Sequence, residues 1–252
     1  MNVLNGPNEV PPLPDANIAH HLGVLQERVA PNDWDGQLAL AVVSAALRHY
    51  EAQNSNLESL ATHDPLTGLP NRRALQHDGQ VWAVHPPRQS SGPVYERAGD
   101  PLAWLTVVAD LDRFKDINDS MGHPTGDRAL QLAAFAFRGS VRYSTDGVYR
   151  LSGDEFAMLV PLRTEQAIEA VPRRIPRRFR SHVRQFAEGR GQQLLPEGFT
   201  LKLGDVALAR LLDASFGMSL SDRPYFNLSE EWRRADEALY AAKRRREARG
   251  LR

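Results

Sequence analysis

The sequence contains no cysteine, no long apolar run and no excess of charge of either sign. Without cysteine the chain can form neither a disulfide nor a thiolate centre, which fits a reducing compartment. The longest apolar run, Leu38 to Leu47, is too short to cross a bilayer. Lysine plus arginine and aspartate plus glutamate both number 31, so no overall field favours nucleic acid or an acidic membrane surface. We therefore expect a cytoplasmic protein that binds neither a membrane nor nucleic acid.

Residues 1–62 differ in pattern from the remainder and predict a helical extension. Residues 1–14 are polar and proline-rich, which predicts a disordered terminus without the apolar region of a signal peptide. Residues 15–62 predict a helical hairpin whose second helix begins near Asp33 or Asp35. This second helix carries a heptad seam at Leu40, Val43, Leu47, Tyr50, Asn54, Leu57 and Ala61.

The seam fits two alternatives, a two-stranded coiled coil or an amphipathic helix that packs on its own domain. Asn54 favours the coiled coil slightly, because a buried asparagine at a seam position can fix register. We therefore treat residues 15–62 as a candidate dimerisation stalk.

Residues 63–252 alternate strand-like and helical segments, the pattern of an α/β domain with a central sheet. The apolar run 102–110 predicts a strand buried on both faces. A hairpin is predicted with its turn at residues 152–155. The segment 85–101 is rich in proline and glycine and predicts an irregular insertion.

The remaining elements are predicted from periodicity and from residues that break helices. They are a helix after Pro70, helices over 124–138 and 229–249 with Ser229 as the N-cap of the latter, a helix over 164–195 interrupted by Pro172 and Pro176, and a core strand within 208–220 that ends near Gly217.

Three carboxylates stand where a sheet would bring them together. Asp110 ends the buried strand, and Asp154 and Glu155 lie in the hairpin turn. Carboxylates suit hard ions such as Mg²⁺, which bind through one or two carboxylates and phosphate oxygens. Gly153 allows the tight turn and the close approach of a ligand. An acidic pair beside a glycine can also be a solvated turn. The motifs around the pair are therefore needed to distinguish a metal site from such a turn.

Four motifs in one order resemble those of the GGDEF family of diguanylate cyclases. They are the domain-opening motif His63–Arg73, the metal and guanine-binding stretch Asp110–Asp127, the signature pentapeptide Ser152–Phe156 and the closing helix Ala235–Lys243. The resemblance implies a palm-like, nucleotidyl-cyclase-type α/β fold with a central, mostly antiparallel sheet flanked by helices. It also implies an enzyme that condenses two GTP into the second messenger cyclic di-GMP and releases two pyrophosphates.

The resemblance implies metal and catalytic residues as well. Asp110, the carbonyl of Leu111 and Glu155 would hold two Mg²⁺ ions, with Mn²⁺ as a possible replacement. Asp154 would lie nearest the attacking 3′-hydroxyl and help to deprotonate it. Arg150 would stabilise charge that develops on the α-phosphate.

Substrate-binding residues follow in the same way. Asn118 and Asp127 match the pair that reads guanine, and a site built to bond this edge rejects adenine. The phosphates would lie against Lys243, Gly153, Lys115 and the backbone of Arg113 and Phe114. Simpler alternatives remain for several of these residues: a helix N-cap or a salt bridge to Lys115 for Asp110, a helix cap for Asn118, a solvated turn for Asp154 and exposed surface cations for the basic residues.

The implied reaction requires two GTP molecules that face each other. Two catalytic domains would pair transiently and antiparallel, and a homodimer joined through the N-terminal helices would raise their effective concentration.

The chain departs from the family pattern at three places. Ser152 replaces the first glycine of the signature, and a positive φ at that residue would strain the turn. Tyr143 replaces the arginine of the feedback site, which predicts weak or absent product inhibition. The second phosphate-binding arginine is missing after Lys243, and Arg246 or Arg249 is the candidate to replace it.

These departures keep a second hypothesis open. It is a catalytically weak or inactive GGDEF module that regulates through GTP binding or protein interaction. The arginine-rich segment 173–184 would suit nucleic acid, but with few aromatic residues it is typical of a solvated face.

Overall fold

The computed structural model describes residues 29–30, 33–84, 101–142, 145–222 and 226–248. The predicted first helix of the hairpin, Tyr143, Arg249 and nearly all of the 85–101 insertion lie outside the described residues. The chain separates into two units, residues 1–59 and residues 60–252. Within the described residues, no helix combines the length and the apolar character needed to span a membrane.

The first unit contains most of helix α1, Trp34–Thr62. Asp33 caps its start, because Asp33 Oδ1 accepts a hydrogen bond of 3.0 Å from the Gly36 amide. The predicted start near Asp33 is therefore confirmed. Apolar side chains of this helix remain in solvent, with exposed fractions of 48% for Val43, 59% for Tyr50 and 63% for Leu57.

The described residues of the second unit form a four-stranded sheet. Its strands are β1 (Ala103–Leu111), β2 (Gly147–Ser152), β3 (Glu155–Leu162) and β4 (Ala214–Asp222). The strand order is β2-β3-β1-β4, and every pairing is antiparallel. The predicted antiparallel sheet is confirmed, and β1, a central strand, is buried at each residue except Asp110.

Helices cover both faces of this sheet. They are α2 (Arg72–Val84), α3 (Phe114–Met121), α4 (His123–Ser140), α5 (Glu165–Ala187), α6 (Leu203–Ala209) and α7 (Leu228–Ala248), with a 3₁₀ turn at Gln192–Leu194. Successive β1 residues point to opposite faces. Val107 and Ala109 join the core that contains residues of α4 and α5, whereas Val108 packs with Ala235 and Leu239 of α7.

The predicted interruption of α5 is wrong, because the helix continues through Pro172 and Pro176. Each proline removes one backbone donor and costs stability in a helix interior. The helix persists because a continuous apolar stripe is buried against the core; it consists of Val171, Ile175, Phe179, Val183 and Phe186. Tertiary packing therefore outweighs the local preference of the two prolines.

Two further boundaries differ from the predictions. The last strand does not end near Gly217 but continues to Asp222. Asn227, rather than Ser229, caps α7, because Asn227 Oδ1 accepts hydrogen bonds of 3.0 and 3.3 Å from the amides of Ser229 and Glu230. The short helices α3 and α6 were not predicted.

Candidate active site

The three acidic residues meet where β1 ends and β3 begins. Asp110 stands directly opposite Glu155 of β3 in the strand register. Directly opposed residues of an antiparallel pair project from the same face, so these two carboxylates share the face covered by α7. The turn between the strands contains Gly153, with φ of 50°, and Asp154. The Leu111 amide donates to the Asp154 carbonyl at 3.2 Å and ties this turn to β1.

Lys243 of α7 reaches the same point. Its Nζ lies 2.7 Å from Asp110 Oδ1. The helix comes this close because β4 has a glycine beneath it: a Cβ on Gly217 would lie 2.0 Å from the Ala235 carbonyl oxygen and 2.3 Å from the Leu239 nitrogen. Gly217 therefore sets the distance between α7 and the sheet, and with it the reach of Lys243.

Burial and like charge shape the ionisation of the site. Burial raises the pKa of Asp110, and the charges of Asp154 and Glu155 act in the same direction, while Lys243 lowers it without cancelling the rise. Burial also raises the pKa of Asp154, and the charge of Glu155 adds to the effect. The crowding of carboxylates creates a region that attracts cations.

The donors at this point suit a hard divalent ion. Asp110 and Glu155, with the Leu111 carbonyl predicted to join them, offer oxygen ligands only, the type that Mg²⁺ and Mn²⁺ accept. Within the described ranges, no group of three or more His, Cys, Asp or Glu side chains is arranged to hold a metal. Binding of a metal ion would therefore depend also on the Leu111 carbonyl and on phosphate oxygens. The cation that contacts Asp110 in the structure is the Lys243 ammonium group.

The Arg150 side chain bonds both the hairpin turn and the beginning of the domain. Its Nε and Nη2 donate to the Gly153 carbonyl at 3.1 and 2.8 Å. Its Nη1 lies 2.9 Å from both carboxylate oxygens of Asp64. These contacts brace the turn that presents Asp154 and Glu155. The predicted contact between Arg150 and the α-phosphate stays a prediction.

The serine of the signature does not strain the turn. Among the described residues, Arg113 is the only non-glycine residue with a positive φ. Ser152 therefore has ordinary backbone angles, and its Oγ hydrogen-bonds Glu155 Oε2 at 3.1 Å. The strain considered for this position is absent.

A cavity of about 340 Å³ opens next to Asp110. Its lining residues are Asp110, Asp112, Arg113, Asp116, Lys243, Arg246 and Glu247. The left-handed backbone of Arg113, with φ of 59°, turns the chain from β1 into α3 along this cavity. The exposed side chain of Lys115 and the core-packed side chain of Phe114 lie outside this lining.

The residues predicted to read guanine lie on consecutive helices, Asn118 on α3 and Asp127 on α4. A Cβ on Gly126 would lie 1.9 Å from Asn118 Oδ1. The Asn118 amide group therefore packs against α4 immediately before Asp127, which is exposed. This close approach requires glycine at position 126.

A charged network beside the cavity was not predicted. Ser215 Oγ donates to Asp112 Oδ1 at 2.6 Å. Arg246 Nη1 lies 3.1 Å from Asp112 Oδ2 and 2.8 Å from Asp213 Oδ2. The available signal was the spacing: Asp110 and Asp112 stand two residues apart at the end of the apolar run, and Lys243 and Arg246 share one face of a helix.

The family model for the diguanylate cyclase GGDEF domain matches residues 61–208. The match includes both strands of the hairpin and the whole of β1. The chain therefore belongs to the GGDEF domain family of diguanylate cyclases.

Curated and solved relatives agree with this assignment. Diguanylate cyclase DosC of Escherichia coli strain K12 is 33% identical over 186 residues, which cover 72% of this chain and 33% of DosC. The chain thus spans about a third of the length of that relative.

Solved structures are similar to the chain as well, among them two diguanylate cyclases. Diguanylate cyclase SiaD of Pseudomonas aeruginosa, crystallised with its activator SiaC, has a TM-score of 0.52 and 26% identity, over 91% of this chain and 76% of that one. The coiled coil and GGDEF domain of DgcB from Caulobacter crescentus, in complex with c-di-GMP, has a TM-score of 0.56 over 82% of this chain and 94% of that one. At 24% identity, DgcB supports the fold alone.

Proposed function

We propose that the chain is an active diguanylate cyclase that condenses two GTP into cyclic di-GMP and releases two pyrophosphates. The main supporting observation is the grouping of Asp110, Glu155 and Lys243, in which Asp110 stands opposite Glu155 and 2.7 Å from the ammonium group of Lys243. A turn that served only as a solvated loop would not require a lysine from a distant helix to meet a half-buried carboxylate.

In this proposal, the residues at one end of the site select the base. Asp127 accepts from the N1 and N2 donors of guanine, and Asn118 bonds the same base beside it. Adenine would cover the Asp127 carboxylate without offering these donors, and a carboxylate that loses water without gaining a partner weakens binding. GTP is therefore the proposed substrate.

The phosphates extend from the base toward Lys243. The backbone amides of Arg113 and Phe114, together with Lys115, form the cradle for the terminal phosphates. Lys243 exchanges its contact with Asp110 for phosphate oxygens, and Gly153 lets the α-phosphate approach the hairpin.

The chemical step is a displacement at phosphorus. The 3′-oxygen of one GTP forms a bond to the α-phosphorus of the other, and the bond to the bridging oxygen of pyrophosphate breaks, so pyrophosphate leaves with the electron pair. The 3′-proton passes to the carboxylate of Asp154, whose raised pKa suits a proton acceptor. Arg150 holds the carbonyl of Gly153 and keeps Asp154 in place. A second displacement closes the ring.

GGDEF diguanylate cyclases use divalent metal ions. We propose that Asp110, the Leu111 carbonyl and Glu155 hold two Mg²⁺ ions, or Mn²⁺ in their place. Bound ions supply charge neutralisation and polarisation at the phosphates. The residues themselves provide the oxygen donors, Lys243 turns to the phosphate oxygens, and Arg150 keeps its contacts with the hairpin turn.

Two copies must face each other, since one site holds one GTP. We propose a homodimer joined through the N-terminal helices, with transient antiparallel pairing of the catalytic domains. The exposed apolar side chains of α1 support this proposal.

One observation favours the alternative, a weak or inactive module that binds GTP or a protein partner. Glu247 lines the cavity next to Asp110, close to the position where the family has an arginine, and its negative charge opposes a triphosphate.

Incubation with GTP or ATP and Mg²⁺, followed by chromatography, tests the proposal. We expect cyclic di-GMP and pyrophosphate from GTP and no cyclic product from ATP. Binding of GTP without any product would contradict the cyclase and support the alternative.

A further inference from the structure

The cavity next to Asp110 carries more negative than positive side chains. Its wall contains four carboxylates, from Asp110, Asp112, Asp116 and Glu247, and three cations, from Arg113, Lys243 and Arg246. A triphosphate that enters this cavity therefore meets an excess of like charge. Any cation that shields these carboxylates affects the affinity for nucleotide, even if it touches no phosphate.

Of the carboxylates that line this cavity beside Lys243 and Arg246, the Asp112 side chain is less exposed to solvent than that of Asp110. Its side chain is only 9% exposed, and Oδ1 already accepts the Ser215 hydroxyl. Asp112 Oδ2 is buried without a hydrogen bond among the described residues, and the Arg246 guanidinium at 3.1 Å is its charge partner. Without Arg246 this oxygen would be a buried and uncompensated charge beside the phosphate site.

The carboxylate of Asp213 is a second partner of the Arg246 guanidinium. Arg246 Nη1 lies 2.8 Å from Asp213 Oδ2, while Asp213 Oδ1 accepts from Arg180 Nε at 3.0 Å. The Asp213 carbonyl in turn accepts from the Asp112 amide at 2.9 Å. Arg246 thus stands between two carboxylates on adjacent segments, one directly after β1 and one directly before β4, which this backbone hydrogen bond joins. Asp112 immediately precedes Arg113, which lines the cavity.

We propose that Arg246 is a positioning residue that neutralises Asp112 and Asp213 and so allows a nucleoside triphosphate to bind. The proposal deepens the cyclase proposal, on which it rests, and differs from the expectation that Arg246 replaces the missing phosphate-binding arginine. Because two carboxylates lie within 3.1 Å of one guanidinium nitrogen, the charge of Arg246 is engaged by these side chains rather than offered to a phosphate.

The charge arrangement predicts a specific rescue. Arg246→Gln leaves Asp112 without its charge partner and leaves Asp213 with Arg180 alone, so a net negative charge remains beside the cavity and the affinity for triphosphate falls. Asp213→Asn in the same chain removes one of the two charges while it keeps the shape of the side chain, and the new carboxamide can donate to the glutamine introduced at position 246. Affinity then recovers, although the guanidinium is still missing.

Calorimetric titration of the full chain with a non-hydrolysable GTP analogue and Mg²⁺ is the test. We expect Arg246→Gln to weaken binding by roughly tenfold, the scale of one uncompensated charge near the ligand. The double variant Arg246→Gln/Asp213→Asn should bind within about threefold of the wild type. Arg245→Gln removes a neighbouring exposed cation of the same helix and should bind as the wild type does.

Either of two results would overturn the proposal: an unchanged affinity in Arg246→Gln, or a loss that Asp213→Asn fails to restore. The second result would mean that Arg246 bonds the phosphate directly. Absence of analogue binding by the wild type would also overturn it. Thermal unfolding of each variant separates loss of fold from loss of affinity. Turnover of GTP is measured separately, so a wild type that binds and shows the rescue but forms no product would contradict the cyclase alone.

Discussion

Asp64 connects the beginning of the catalytic domain to the hairpin. Burial raises its pKa, but hydrogen bonds from Thr67 and Arg150 outweigh this effect and lower the pKa below its ordinary value. A carboxylate with a lowered pKa stabilises the fold above its unfolded pKa, and this contribution disappears as the pH falls through the folded value. The stabilising effect of Asp64 is therefore present at neutral pH and absent in acid.

The substitution Asp64→Asn should lower the free energy of unfolding by about 2 kcal/mol at pH 7, because it weakens charge-assisted hydrogen bonds in a mostly buried pair. The difference from the wild type should shrink below about pH 4. Urea denaturation at pH 7 and again below about pH 4 measures this difference in the free energy of unfolding. Asp116→Asn, which removes an exposed carboxylate, is the control. A loss of the same size at both pH values would contradict the assignment.

Ser152 is compatible with the hairpin, since its φ is not positive and its hydroxyl bonds Glu155. Restoring the family glycine with Ser152→Gly should therefore lower stability by about 0.5–1 kcal/mol, through the greater flexibility of the unfolded chain. Chemical denaturation measures the change. Increased stability in the variant would show that the serine strains the turn after all.

At the scale of elements, helix α5 contains its own destabilising residues. Pro172 cannot donate to the carbonyl four residues earlier, and only the buried stripe keeps the helix continuous. We expect Pro172→Ala to raise the free energy of unfolding by about 1–3 kcal/mol. Pro196→Ala, at a proline outside the helices, should give no such gain. A loss of stability in Pro172→Ala would mean that the proline ring itself contributes essential packing.

The same helix shows what the sequence could and could not predict. Strand β1 and the hairpin were predictable because an apolar run and a glycine-acid turn are local signals. The course of α5 was not, since burial of Phe179 and its neighbours overrides the prolines. Helices α3 and α6 are too short for periodicity to be visible. The contacts of Arg246 depend on how closely α7 packs on Gly217, which no local pattern encodes.

At the scale of the whole molecule, the proposed dimer depends on the seam of α1. Val43→Lys and Tyr50→Lys introduce charge at exposed seam positions. We expect sedimentation to show a shift from dimer to monomer, and the cyclase rate at low protein concentration to fall and to recover as concentration rises. Leu38→Lys, exposed on the same helix but outside the seam, is the matched control. Equal effects of all three substitutions would contradict a specific seam.

The most direct test of the central claim compares cyclic di-GMP formation by the wild type, Glu155→Gln and Glu165→Gln over a series of Mg²⁺ concentrations. Glu165 lies in the first turn of α5 and serves as a carboxylate control. We predict product from the wild type and the control, and a rate at least about 100-fold lower for Glu155→Gln at every Mg²⁺ concentration. Formation of product by Glu155→Gln at a rate close to that of the wild type would contradict the assignment of this site.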